Sequence, residues 1–349
     1  MTPSFTHEGL SQERAELFEV AQGLFAGARE DEWGGVDLGF FGIGIPEADG
    51  GAGGVFADLA PVVEAAGASL SATAAVWSAG LAAPMILDNA AEFRGILSDL
   101  ASGGASVAVP VGQPWRIATE HMPSSTRPDL SGSVLTIGPT TPSHLLLPLL
   151  RGSTQAIAVL PLAHDAAYVE PVSSIDQTRS FCRVTVTGYP IDDAVGIVEG
   201  NDLFRAWRAR IGLLSALDAV GTARIALQRT ITYASERRQF GRPIGSFQAY
   251  KHRCASAYIE LRLGQSLAFR AAESFDSEEG INLALSAAIT STASATHICG
   301  EAVQLHGGIG FTWEAGLHAH LKRARTDEII AKGGTEASRL LLVGFQNEV

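Results

Sequence analysis

Four long stretches near the C-terminus, at 202–235, 245–275, 280–304 and 317–344, repeat alanine and leucine at helical spacing. Breaks at FGRPIG, DSEEG and HGGIGFTW separate them. Such a run fits four long antiparallel helices joined by short connections. Ahead of it the period changes. From about Ala105 to Val195 the segments ASVAVPV, GSVLTIG, HLLLPLL, QAIAVLPL, AYVEPV and FCRVTVTG are short, β-branched or leucine-rich, and parted by Gly, Pro, Ser and Asp, which predicts a β domain. The N-terminal part is helical again. Ser11 is placed to cap a helix that carries Ala15, Leu17, Phe18, Val20, Ala21 and Leu24 on its apolar positions, ending near Ala26. A glycine-rich loop over Asp37–Gly54 leads into a helix at about Val55–Ala68, and more alanine-rich helix runs to about Leu100. The expected fold is α+β, with an N-terminal helical domain over 1–104, a middle β domain over 105–197 and a C-terminal four-helix bundle over 198–349.

With 349 residues the chain suits two or three domains that share contacts. Its net charge of −12, from 25 basic and 37 acidic residues, provides no broad cationic field, so a nucleic-acid partner is not expected and an anionic ligand would need a local patch. Cys182, Cys254 and Cys299 are odd in number, far apart and in apolar surroundings, which reads as free thiols in a reducing compartment. The N-terminus lacks a basic start followed by an apolar core, and no stretch approaches the uninterrupted apolar length of a membrane span. The expectation is a cytoplasmic protein with no membrane partner.

Two motifs carry chemistry. Arg237 and Phe240 lie three apart at the end of one predicted helix, a spacing that sets them on one face. A guanidinium fork suits diphosphate oxygens, and a phenyl ring beside it gives a flat surface for a ligand ring. An arginine bonded to the carbonyls of a helix C-terminus, next to a core phenylalanine, is the other reading of the same residues. The second motif holds Gln304, Gly307, Gly308 and Gly310. It follows a helix, not a strand, so it is no dinucleotide fingerprint of the Rossmann kind, and its spacing is wrong for a P-loop. Its glycines permit close approach of a ligand, with the Gln304 amide as donor and acceptor. A plain glycine-rich connection between helices is the alternative. His318 and His320, two apart on a helix, point in different directions and predict no metal site. The cysteines show no CxxC spacing, and Lys322–Glu328 reads as a solvated helix face.

The order of α, β and four-helix α segments, with RxxFG and QxxGG so placed and GFFGIGIPEADGGAGG near the N-terminus, resembles the acyl-CoA dehydrogenase family over essentially the whole chain. The resemblance implies a β-barrel-like middle domain and FAD as cofactor. It also implies a glutamate that takes the α-proton of an acyl-CoA thioester while the β-hydrogen leaves as hydride to the flavin, and reoxidation by an electron-transfer flavoprotein. It assigns Arg237, Phe240, Gln304, Gly307 and Gly308 to the ADP half of a neighbouring subunit's FAD.

The departures from the family pattern are as informative. One usual position of the catalytic glutamate is Ile211, within RARIGLLSA, and the other is Gly333, within KGGTEA. The middle-domain stretch whose hydroxyls and acid meet the flavin and substrate reads VPVGQPW over Val109–Trp115, and the C-terminal loop keeps Thr335 but has Ala337 in place of a glutamine. This asymmetry resembles the shorter subunit of heterotetrameric acyl-CoA dehydrogenases of steroid side-chain degradation, in which a longer subunit supplies the base. Two other expectations stand beside it. One is a self-sufficient flavoenzyme whose base is displaced to Asp218, Glu314, Asp327 or Glu328. The other is a flavin-free scaffold that keeps the fold for assembly.

Overall fold

Among the described residues, helices come first and last and strands lie between them. The computed structural model describes residues 11–27, 32–87, 94–111, 115–117, 129–151, 154–190, 196–199 and 203–333. Helix α1 (Gln12–Gly27) starts where the Ser11 hydroxyl accepts from the Arg14 amide at 3.4 Å, and it buries Phe18, Ala21 and Phe25 while Val20 stays exposed. After the glycine-rich loop come α2 (Phe56–Ser69), α3 (Ala75–Trp77), a π turn at Ser78–Ala82, α4 (Ala83–Leu87) and α5 (Gly95–Ala101). Strands β1 (Val107–Pro110), β2 (Trp115–Ile117), β3 (Asp129–Ile137), β4 (His144–Arg151), β5 (Thr154–Pro161), β6 (Ala167–Val172), β7 (Phe181–Pro190) and β8 (Gly196–Glu199) follow. Helix α6 (Leu203–Glu236) leads to a small hairpin, β9 (Arg238–Gln239) with β10 (Arg242–Pro243), and then to α7 (Gln248–Glu273), α8 (Glu278–His306) and α9 (Leu317–Lys332). The described residues divide into two compact units.

The first unit draws on residues 11–27, Ala60–Ser71 and Gly212–Lys332, and its described residues are mostly helical. Its core is made largely of small side chains, with Ala219, Ala223 and Ala226 of α6 clustered with Ala257 of α7, Ala295 and Ala302 of α8 and Ala324 of α9. Leu227, Leu261, Ile298 and Leu317 fill between them. Alanine keeps helix propensity high and lets axes approach closely. The approach is tight between α2 and α6. A Cβ on Gly221 would sit 1.9 Å from the Glu64 carbonyl oxygen, and one on Gly67 2.0 Å from that of Asp218, so both crossings require glycine. Ser277 caps α8 by accepting from the Gly280 amide at 3.0 Å, and Glu278 and Glu279 favour the same end through the helix dipole.

Two buried arginines of this unit are paired with carboxylates. Arg224 donates from Nε to Glu64 at 3.1 Å while its guanidinium lies over the Phe18 ring, and Gln265 donates to the same carboxylate at 3.2 Å. Arg323 grips both oxygens of Asp218, at 2.9 and 2.7 Å, and donates to the Ser71 carbonyl at 2.9 Å. That grip corrects the reading of Lys322–Glu328 as a solvated face. Arg323, Ala324, Thr326, Asp327 and Glu328 are buried, because charged residues enter the interior here with partners that a charge run alone does not disclose. Helix α6 has the length and composition of a membrane span, contrary to the sequence expectation, but 89% of its most apolar window is buried within the protein. Such burial is what an apolar core helix requires.

The second unit contains the sheet, in the order β6-β7-β3-β1-β4-β5-β8, with β2 also paired to β4. The β1–β4 and β2–β4 pairs are parallel and the others antiparallel. Leucines of β4 and alanines of β5 pack with Leu130 of β3 and with Val184 and Val186 of β7 to form its core. A register shift between Leu130 and Gly132 marks a bulge in the β3–β7 pair. Glu32 fastens the segment before α2 to this sheet, accepting from the Thr140 amide at 2.9 Å and from the Ser180 hydroxyl.

Candidate nucleotide-holding site

Both motifs lie at one end of the helical unit. Arg229, Tyr233 and Arg237 follow one another at four-residue spacing, so they form a single stripe along the last turns of α6. Arg229 donates to the Ala315 carbonyl at 2.5 Å, and the Tyr233 ring stacks on His306 with centroids 4.3 Å apart. Tyr250 of α7 donates its hydroxyl to the Leu305 carbonyl at 2.7 Å. These three contacts bring the end of α6, the start of α7 and the end of α8 together, and with them RxxFG and QxxGG.

Arg237 and Phe240 do not share a helix face. Helix α6 ends at Glu236, and the Arg237 amide makes one last helical bond to the Tyr233 carbonyl at 2.8 Å. The chain then turns into the β9–β10 hairpin, where Phe240 has a positive φ of 53° and is 92% exposed. Gly241 follows with φ 79°, and the two left-handed residues make the tight hairpin connection that helical periodicity could not signal. Phe240 is therefore not a core residue. Arg237 is exposed, and among the described residues its guanidinium has no hydrogen-bond or ion-pair partner.

Gln304 is exposed in the last turn of α8. Gly307 ends that helix with φ 62°, a backbone state that favours glycine. Gly308 differs: its φ is not positive and a Cβ there would meet nothing within 4 Å. The chain's own packing leaves the space in front of it open. Gly310, by contrast, is packed, with a Cβ only 2.3 Å from the Val303 carbonyl oxygen. Burial holds the His306 imidazole below its ordinary value, with the bond to the Ala302 carbonyl opposing, so it stays neutral beside the glycines.

Two further residues at this end stand outside both motifs. Phe247 meets Phe240 edge to face at 6.2 Å and carries the Arg242 guanidinium 4.0 Å from its ring centroid. Gln248 begins α7 with no side-chain cap, which leaves its amide for a ligand at the positive end of the helix dipole. The one sequence signal for them is SFQ directly after a Pro-Ile-Gly break, without a serine or aspartate at the cap position itself. Arg237, Arg238 and Arg242 supply local positive charge in an acidic chain. An exposed fork, an amide, two glycines and a helix start fit the diphosphate and ribose end of a dinucleotide.

The opposite half of a flavin site finds less here. Val109, Pro110 and Val111 are buried and offer no hydroxyl or acid, and Gly112, Gln113 and Pro114 lie outside the described residues. Thr335 and Ala337 lie outside them too. Ile211 is buried in α6, and Gly333 follows α9 with φ 51°.

Three of the four alternative carboxylates are committed or enclosed, and the fourth is at the surface. Asp218 is buried and held by Arg323 through both oxygens. Asp327 is fully buried, and Cys299 near it has its thiol pushed up, first by burial and then by that neighbouring carboxyl. Burial raises Glu328, but bonds from Lys332, Thr296 and Arg325 outweigh it and hold the carboxyl below its ordinary value. Glu314 is exposed and held low by its own backbone amide and the Thr312 hydroxyl. A general base needs a lone pair that reaches the substrate and a pKa near neutrality.

Residues 209–344 match the acyl-CoA dehydrogenase C-terminal domain and residues 15–103 the N-terminal domain. The chain is 30% identical to acyl-CoA dehydrogenase IpdE2 of Mycobacterium tuberculosis over 85% of its own length and 80% of that protein's. The chain belongs to the acyl-CoA dehydrogenase family. Members of this family are oxidoreductases acting on CH–CH bonds, and FAD is their cofactor. Acyl-CoA dehydrogenase FadE34 of the same organism is 31% identical over 82% of this chain, which spans only 38% of that longer relative. Among solved structures, the ChsE4-ChsE5 complex from Mycobacterium tuberculosis holds a chain with the same fold, at a TM-score of 0.81 and 20% identity, covering 97% of this chain and 99% of that one. The Tcur3481-Tcur3483 steroid ACAD G363A variant shares the fold at a TM-score of 0.79 and 21% identity, covering 95% and 98%.

Proposed function

We propose that this chain is a base-lacking subunit of a flavin-dependent acyl-CoA dehydrogenase, which completes the FAD site of a longer partner subunit. The observation that carries this reading is a contrast within one sequence. Arg237, Phe240, Gln304, Gly307 and Gly308 are all present and exposed, while the two usual base positions hold Ile211 and Gly333. An isoleucine or a glycine side chain has no lone pair with which to take a proton. When bound, FAD supplies the hydride acceptor. Arg237, Phe240, Gln304, Gly307 and Gly308 would hold its ADP half, with the Arg237 fork suited to the diphosphate, the Gln304 amide to polar groups, the two glycines to close backbone approach and the Phe240 ring to an apolar face. The α-proton goes to a carboxylate of the partner subunit.

The substrate class is a bulky acyl-CoA of the steroid side-chain type, and an electron-transfer flavoprotein reoxidises the flavin in the cytoplasm. Support comes from two fold neighbours, one described as a complex and the other as a steroid enzyme. The domain division at 104 and 197 belongs to the same reading.

The test is visible absorbance. The chain purified alone is expected to be colourless, and the chain purified with a longer, base-bearing acyl-CoA dehydrogenase chain is expected to be yellow and active. A lone chain that is yellow and bleaches with an acyl-CoA would overturn the proposal.

A further inference from the structure

Just past the QxxGG element the chain leaves two large aromatic side chains in solvent. Phe311 is 73% exposed and Trp313 71%, with Ile309 beside them at 45%. Single exposed apolar residues need no explanation, but a run of this kind within five residues does. Trp313 is held from within the chain. His318 meets its ring edge to face at 4.3 Å, and the Lys322 ammonium lies 5.4 Å from its centroid. An aromatic side chain that is fixed on one side and bare on the other loses little further freedom when something covers it. The loop is anchored as well, because Arg229 bonds the Ala315 carbonyl on the same α6 stripe that leads through Tyr233 to Arg237. The loop that carries Phe311 and Trp313 thus follows directly on the QxxGG element and is tied to α6 about two turns before Arg237.

The charge around them selects the occupant. Arg237, Arg238, Arg242 and Lys322 stand against Glu236 and Glu314, so this end is cationic in a chain of net charge −12. A second copy meeting it through the same patch would set like charge on like. A partner that presents a diphosphate, with apolar surface to either side of it, complements both the cations and the rings.

We infer that Phe311 and Trp313 form an aromatic docking knob for the flavin-bearing partner subunit, inserted into an apolar recess of that subunit next to the ADP half of its FAD. The inference rests on the subunit reading above and adds to it the contact that supplies assembly energy. Aromatic residues are enriched at interfaces and a buried tryptophan is a common energetic anchor there, a contribution separate from any charge pairing of the arginines with the nucleotide.

The experiment uses the double variant F311A/W313A and the single variant W313A, each produced with the longer acyl-CoA dehydrogenase chain and compared with wild type by sedimentation and by flavin absorbance. Both variants are expected to fold alone with unchanged circular dichroism. Their complexes are expected to dissociate at least about tenfold more readily, releasing flavin in proportion. Complexes as tight as wild type would overturn the inference and leave the subunit reading standing. A wild-type chain that captures no flavin-bearing partner would overturn both. If the substitutions abolish self-association of the lone chain and leave the mixed complex intact, the occupant is a second copy and the inference is wrong. W313A keeps Phe311, so a folding defect confined to the double variant does not remove the test.

Discussion

Asp218 shows how geometry decides between a base and a structural charge. Its two oxygens are taken by Arg323, and that arginine is itself buried. Asp218→Asn removes the countercharge and leaves the guanidinium buried, an arrangement that costs about 3–5 kcal/mol. Urea unfolding of the lone chain is expected to report that loss, while the rate per folded, flavin-bearing complex stays at the wild-type level; a selective loss of rate with stability intact would restore Asp218 as the base. Arg237 is the opposite case. It is exposed, so Arg237→Ala is expected to leave stability within about 0.5 kcal/mol. The assembled complex is expected to lose most of its flavin absorbance, and Arg237→Lys to retain part of it, since an ammonium keeps the charge but not the fork.

Packing of α2 on α6, and the way α8 ends, separate glycines that the fold requires from one that the chain's own packing does not require. Gly221→Ala drives a methyl group into the Glu64 carbonyl at 1.9 Å and is expected to cost about 1–3 kcal/mol in thermal unfolding. Gly308→Ala meets nothing within the chain and is expected to leave the melting temperature unchanged, yet to reduce flavin retention in the complex. Periodicity reveals these helices because alanine and leucine repeat along them, and it places the starts of α6 to α9 to within a few residues. It does not reveal that Gly67 and Gly221 are crossing points, since a glycine inside a helical pattern looks the same whether or not another backbone lies against it. The β9–β10 hairpin is hidden for a different reason. Only two residues pair on each side, too short a run for alternation to register, so Phe240 reads as part of a helix when a left-handed turn presents it to solvent. His306 gives this end a pH signature. Burial holds its pKa below 6.5 in the folded state, so the folded chain binds fewer protons than the unfolded one; its stability is full above about 6.5 and is lost as pH falls from there through the folded value. The unfolding midpoint of wild type is expected to fall more steeply on acidification than that of His306→Asn.

At the scale of the whole molecule, segment order and two motifs carry the family resemblance, while the group that takes the proton is not legible, since neither Ile211 nor Gly333 at its two usual positions is a carboxylate. Composition contributes one useful constraint: in a chain of net charge −12, the exposed arginines Arg237, Arg238 and Arg242 mark a place to look for an anion. If each FAD needs a ring-holding half from one subunit and an ADP-holding half from its neighbour, a chain that supplies only the second halves the number of sites. A complex with equal amounts of the two chains is therefore expected to bind one FAD for every two polypeptides, where a homo-oligomer with both halves in each chain binds one per polypeptide. Flavin absorbance after denaturation, set against total protein mass, measures the ratio directly. One flavin per polypeptide in the complex would mean that this chain holds a ring-binding half of its own, built from residues other than the buried Val109, Pro110 and Val111. A ratio of one to two, together with loss of flavin in Arg237→Ala, would place the whole contribution of this chain to the cofactor at the end of α6 and the end of α8.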